Sequence, residues 1–282
     1  MLIAAAPVWA ADPPPEPIDN DTCLACHGDP TADRGLDPAK FAASIHGALQ
    51  CTSCHQGITE VPHPTPVAPV SCRQCHELEA EVYGGSDHGK ALHAGQTQAA
   101  SCRDCHGEPH QVRGPRDPAS PVSRASIPAT CAQCHGKTKD MARFHLSQVA
   151  PIATYEESVH GRAHARGVTQ AAVCTDCHGS HDLHRATNPA SKLYWQTIPG
   201  TCGTCHENIR QTFSRSVHGA AVTVGKRDAP VCTDCHGEHG IAGVKQEASK
   251  VFPSHVAETC GQCHAAERIT TKYQLPEHVV ET

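Results

Sequence analysis

The chain has 282 residues, of which only 44 are Leu, Ile, Val or Phe and 4% are aromatic, while Gly and Pro contribute 22 each. So little apolar side chain cannot offset the entropy of ordering the backbone, which excludes an ordinary core built from side chains alone. The formal charge of −6 and the absence of any basic run exclude a phosphate-backbone binder, so no nucleic acid is expected as a partner.

In chain order, residues 1–10 read as the remnant of a secretory signal. They form an apolar run with Val8 and Ala10 suited to cleavage before Ala11, without the basic residues that normally open such a segment. Residues 11–20 form a Pro-rich leader, stiff and extended. From 21 to 282 the sequence reads as a single elongated array. Nothing in it approaches the roughly 18–20 apolar residues needed to span a bilayer, so no transmembrane segment is expected.

The array is punctuated by one pentapeptide. All 18 cysteines fall in C-x-x-C-H: Cys23/Cys26/His27, Cys51/Cys54/His55, Cys72/Cys75/His76, Cys102/Cys105/His106, Cys131/Cys134/His135, Cys174/Cys177/His178, Cys202/Cys205/His206, Cys232/Cys235/His236 and Cys260/Cys263/His264. Two thiols at this spacing can form thioethers to the two vinyl groups of one porphyrin, and the adjoining His then reaches the iron. A disulfide framework does not require a His after each second Cys. Zinc knuckles use paired Cys-x-x-Cys without nine such histidines, and a thioredoxin-like motif would occur once. The reading is nine haem c groups, whose porphyrins supply the missing core.

Fourteen histidines lie outside these motifs, and many recur in phase. A Ser-x-His-Gly element carries His46, His88, His160 and His218. The last three precede Cys102, Cys174 and Cys232 at one constant spacing. A second element follows the motif directly, in Cys-His-Gly-Glu-Pro-His110, Cys-His-Gly-Ser-His181 and Cys-His-Gly-Glu-His239, with His63 in the shorter first unit. The chain is therefore an internal repeat. One opening haem precedes four two-haem units at about 44–85, 86–157, 158–215 and 216–282. Haem iron in an electron carrier takes a sixth ligand, commonly Met or His. With only Met1 and Met141 in the chain, bis-His ligation must dominate. Motifs at 23, 72, 131 and 202 are each followed by a Ser-x-His-Gly, and those at 51, 102, 174 and 232 by a nearby His, which makes these eight histidines the expected distal ligands. For the ninth motif, His278 follows His264 at a spacing within the range set by the other units. It is the expected ligand there, in competition with a histidine from a neighbouring molecule. His93, His145, His164, His184 and His255 are expected to be ordinary surface or hydrogen-bonded residues.

Secondary structure is sparse. Glu77–Tyr83, Thr138–Gln148, Glu207–Arg215 and Ala265–Tyr273 read as short helices, and Pro and Gly break most of the rest. The expected fold is mostly loops and short α-helices wrapped around a linear haem chain, with no significant β-sheet.

With these motifs in view, residues 20 to 282 resemble the multihaem c-type cytochromes of metal-respiring bacteria, such as decahaem subunits of outer-membrane conduits and subunits of extracellular cytochrome filaments. The resemblance implies haem attachment outside the bacterial cytoplasm, hence a periplasmic or extracellular protein. It also implies bis-His haem, long-range electron transfer, and partners that are other cytochromes, a quinol-oxidising membrane complex, an outer-membrane conduit or extracellular acceptor, or copies of itself in a filament. An electron carrier with no catalytic residues is the expected class. The alternative is a multihaem reductase of the nitrite, hydroxylamine or tetrathionate kind, with one haem open.

Overall fold

A computed structural model of the chain describes residues 18–137 and 150–276. Among them the regular elements are short helices, with no strand, as the composition predicts. Residues 1–10, most of the leader and the helix expected over Thr138–Gln148 lie outside the described residues. Of the other expected helices, Glu207–Arg215 is observed with those bounds, and Glu77–Tyr83 extends to Gly85. The last begins at Glu267, because Ala266 is still extended.

Two kinds of helix alternate. The first carries the C-x-x-C-H motifs, as in Asn20–His27, Cys102–His106, Ile127–His135, Cys174–His178, Cys232–His236 and Val256–His264. The second is a broken pair pivoting on a serine: Glu77–Gly85 with Asp87–His93, Pro151–Glu157 with Val159–Ala165, and Glu207–Arg215 with Val217–Thr223. The second member of each pair was not legible as a helix, since its short run contains a Gly and little apolar periodicity.

One backbone hydrogen bond recurs and ties distant units together. The N–H just before three of the Ser-x-His-Gly histidines donates to a carbonyl two positions past a histidine of the second kind. The bonds are Ile45 to Val112, Asp87 to Leu183 and Val159 to Ile241, each 2.9 Å. Side chains add local ties. Arg124 reaches the carbonyls of Thr169 and Ala171 and pairs with Asp176 at 2.7 Å. One repeat later Trp195 takes the same place, buried with Ile198, Val222 and Val231 and covered by the Arg227 guanidinium at 5.1 Å.

That cluster is most of the apolar core. The buried hydrophobic residues among the described ones are Ala171, Val173, Trp195, Ile198, Val222, Val231 and Ile269. The polypeptide exposes 19503 Å², against about 11,700 Å² for a compact folded protein of this mass. The chain thus leaves exposed much surface that a compact fold of this mass would bury. Chain produced without haem attachment is therefore expected to show no cooperative thermal transition by calorimetry, whereas the haem-loaded protein should melt cooperatively.

Candidate functional site

Most of the phased histidines are aimed by small residues around them. In Ser158-Val-His160-Gly161 the serine side chain accepts from the Gly161 N–H at 3.0 Å and caps the helix that carries the histidine. Ser158 is almost completely buried, and a Cβ on Gly161 would collide with the Tyr155 carbonyl oxygen of the preceding helix. Glycine is needed there because the two helices meet backbone to backbone. The same cap is made by Ser86 to Gly89 and by Ser216 to Gly219. In Cys174-Thr-Asp-Cys-His178-Gly179, Asp176 accepts from the Val173 N–H at 2.7 Å and starts the motif helix. Gly179 then turns the chain at φ +85°, a conformation that an L-residue rarely adopts. The turn sends His181 away from its own motif.

These devices bring imidazoles together in pairs. His27 faces His63 with ring centres 6.0 Å apart, and His55–His110, His106–His181 and His178–His239 are 6.1, 5.9 and 5.8 Å apart. In these four pairs the planes lie within 11–20° of parallel. The other four pairs are His46–His76, His88–His135, His160–His206 and His218–His264, at 6.0–6.2 Å and tilted by 44–53°. Every pair joins one C-x-x-C-H histidine to one phased histidine, and each phased histidine among the described residues is used once.

The partners differ from those that order along the chain suggests. A Ser-x-His-Gly histidine does not face the motif just before it; it reaches forward past the next motif to the one after. A histidine of the second kind reaches backward, from motif four to two, six to four and eight to six, with His63 closing on the first. His264 is thus faced by His218, and His278 lies outside the described residues. The motif histidine that no imidazole faces among the described residues is His236. Met141 and His145 also lie outside the described residues. His255 donates from Nδ1 to the Ser249 carbonyl at 3.0 Å.

The thiols form a continuous file. Cys23 lies beside Cys51, Cys72 beside Cys102, Cys131 beside Cys174, and Cys202 beside Cys232. Between those pairs, Cys54 lies near Cys75, Cys105 near Cys131, Cys177 near Cys205 and Cys235 near Cys260. Motifs adjacent in sequence are thus adjacent in space at all eight junctions. The two terminal motifs differ from each other in their second cysteine. Cys26 is exposed at the Cys23 end of the file, whereas Cys263 is half-buried and lies with Cys260 beside Cys235. Burial, reinforced by the neighbouring thiol, pushes Cys51 and Cys105 up to about 11. No cysteine is in a disulfide, and no group of three or more metal-binding side chains gathers among the described residues.

The donor set fits bis-His haem. Two imidazoles sharing one metal ion, at about 2 Å per metal–nitrogen bond, place their ring centres roughly 6 Å apart. Burial, with His239 and His135 nearby, lowers His178 to about 4. Burial also lowers His55, His88, His106, His135, His160, His218 and His239, so these rings stay neutral, the form that ligates a metal. His27 and His63 direct Nδ1 to the carbonyls of Arg34 and Pro64 at 3.3 and 3.1 Å, leaving Nε2 for iron. Each motif would hold one haem through its two cysteines, Cys26 and Cys263 included.

Residues 28–135 match the class III cytochrome C family. The chain is 25% identical over 267 residues to the C-type polyheme cytochrome OmcC of Geobacter sulfurreducens, covering 78% of this chain and 33% of that protein. It is 27% identical over 206 residues to the high-molecular-weight cytochrome c of Nitratidesulfovibrio vulgaris, covering 66% and 34%. With cytochrome c-552 of Haemophilus ducreyi it shares 23% over 234 residues, covering 72% and 42%. The chain therefore spans about a third to two fifths of the length of these curated relatives. No solved structure gives a significant match.

The two classes of imidazole pair have a spectroscopic consequence, because the angle between axial ring planes sets the splitting of the iron d orbitals. Electron paramagnetic resonance of the oxidised protein should show two low-spin populations of equal size, one rhombic and one with a large maximal g value. His160→Ala should remove one quarter of the second population and leave the first unchanged.

Proposed function

We propose, on the premise that this chain is a multihaem c-type cytochrome, that it carries nine haems and passes electrons along them in the order of the sequence, from the Cys23 end to the Cys260 end or the reverse. Bound haem supplies one-electron chemistry at its iron. The residues supply the rest. The 18 cysteines would anchor the groups in a file, each motif histidine would hold one iron, and the eight phased histidines among the described residues would hold eight of the nine from the other side. Closure by a second imidazole keeps substrate off the metal and makes the group a carrier. The observation that carries this reading is the set of eight imidazole pairs, each about 6 Å apart.

In this reading the opening motif is followed by four two-motif repeats, and the protein works outside the bacterial cytoplasm, periplasmic or extracellular, in anaerobic or extracellular respiration. No helix among the described residues is long and apolar enough to cross a membrane. The partners are other redox proteins, and the negative charge of the chain, −6 before any haem carboxylates, favours partners with a basic docking face.

A second reading, a multihaem reductase, has one observation in its favour: His236 lacks a facing imidazole among the described residues. There, and not at the ninth motif, the open iron of such an enzyme would lie.

The carrier reading is tested by intact mass and spectroscopy of protein matured with the haem-attachment machinery. Nine covalent haems per chain, at least eight of them low-spin, are expected. A lower stoichiometry, or a majority of high-spin haem, contradicts it. Reduction of nitrite or hydroxylamine by the reduced protein, lost on removing the haem at Cys232 and Cys235, would replace it with the second reading.

A further inference from the structure

Among the described residues His236 is unmatched, for a reason that the repeat makes explicit. The histidine that faces an even-numbered motif always comes from the tail of the next even-numbered motif. His110 serves His55, His181 serves His106 and His239 serves His178. His236 belongs to the eighth motif, so its partner would be the tail of a further unit.

The same tail makes the recurring backbone bond. Two positions past its histidine it presents the carbonyl of Val112, Leu183 or Ile241 to the N–H of Ile45, Asp87 or Val159. Its aliphatic residue travels with it, in His110-Gln-Val112, His181-Asp-Leu183 and His239-Gly-Ile241. Two positions further on, Gly114 and Gly243 approach so closely that a Cβ on either would touch the side chain of Ile45 or Val159. The fourth equivalent of Ile45, Asp87 and Val159 is Val217. Its N–H makes no bond to any tail among the described residues, and the residue is 82% exposed, against 57% for Ile45, whose tail is in place. The serine beside it, Ser216, is only partly buried, as is Ser44 at the first site, whereas Ser86 and Ser158 are almost fully covered.

From this we infer that His236 and Val217 form one docking site for a haem-motif tail of the form His-x-aliphatic, separated by one or two residues from the glycine that ends the motif, whose imidazole would close the iron held by His236 and whose backbone carbonyl accepts from the Val217 N–H. The occupant is defined by chemistry already on the page, since the chain fills the equivalent site three times with its own segments. Any polypeptide that carries a further unit can supply it. Binding would add an axial ligand and extend the file of haems in one event. Nothing is oxidised or reduced; the imidazole would take the place of a water molecule, which leaves to solvent. The inference rests on the bis-His haem reading.

The test uses the haem-loaded full-length chain and a synthetic peptide of residues 237–245, Gly-Glu-His-Gly-Ile-Ala-Gly-Val-Lys. Reduced protein should bind one carbon monoxide per nine haems. The peptide should displace it and convert the single high-spin ferric haem to low spin, at a concentration well below that of free imidazole. The peptide with His239→Ala should do neither. Val217→Pro removes the N–H donor at the first helical position, where proline is tolerated. It should weaken the peptide about three- to tenfold, the worth of one hydrogen bond, and leave free imidazole unaffected. A peptide no better than imidazole overturns the proposal. So does wild-type protein that binds no carbon monoxide, and in that case His278→Ala tells whether His278 closes the site. Binding of several carbon monoxide molecules by the wild type would instead mean that the bis-His reading itself fails.

Discussion

Two imidazoles can share one iron only if the backbone holds their rings at a fixed separation on opposite sides of a porphyrin, and in this chain the two rings come from different parts of the array. That constraint governs the rest. Another motif lies between a phased histidine and the motif it serves in every one of the observed pairs. The chain therefore folds back across its own repeats at each pair, and an iron held between the two rings would fasten neighbouring units in addition to the polypeptide. A one-dimensional stack of this kind draws its stability from the interfaces between units. The polypeptide itself brings few buried apolar residues to that task.

The residues around the histidines follow from the same requirement. A ring must be aimed with little freedom, yet the chain has few large side chains with which to brace it. Capping serines, motif-starting aspartates such as Asp104, Asp176 and Asp234, and glycines at helix crossings and turns do this with backbone hydrogen bonds. The tyrosines add longer struts: Tyr83 donates to the Ala100 carbonyl at 2.6 Å and Tyr155 to the Ala172 carbonyl at 2.9 Å, bracing the broken helix pair against the segment that leads into the next motif. In the following repeat Phe213 has no hydroxyl, and packing against the Trp195 cluster takes over.

Much of this was legible in the residues. C-x-x-C-H declares its chemistry because two thiols and an imidazole at that spacing suit one porphyrin, and a phased Ser-x-His-Gly announces a histidine placed by a cap and a close crossing. The short helices Glu77–Gly85 and Glu207–Arg215 could be read from helix-forming runs that begin with Glu. What could not be read was who faces whom. Proximity along the chain pairs His88 with His76, whereas the fold pairs it with His135, because the broken helix carries the ring past the intervening motif at Cys102. Position along the chain likewise pointed to the ninth motif, at Cys260 and Cys263, as the incomplete one. Among the described residues the motif histidine without a facing imidazole is in the eighth, since the two kinds of histidine travel in opposite directions along the array. The Trp195 cluster also escaped notice, as its members are scattered singly over residues 195–231 without periodicity.

The most direct measurement is an experimental density map of the haem-loaded protein, at a resolution that shows the axial ligands. The account predicts that the iron attached through Cys131 and Cys134 lies between His135 and His88, and the one attached through Cys102 and Cys105 between His106 and His181. Density that joins His88 to the iron of the Cys72 and Cys75 haem, opposite His76, would contradict it.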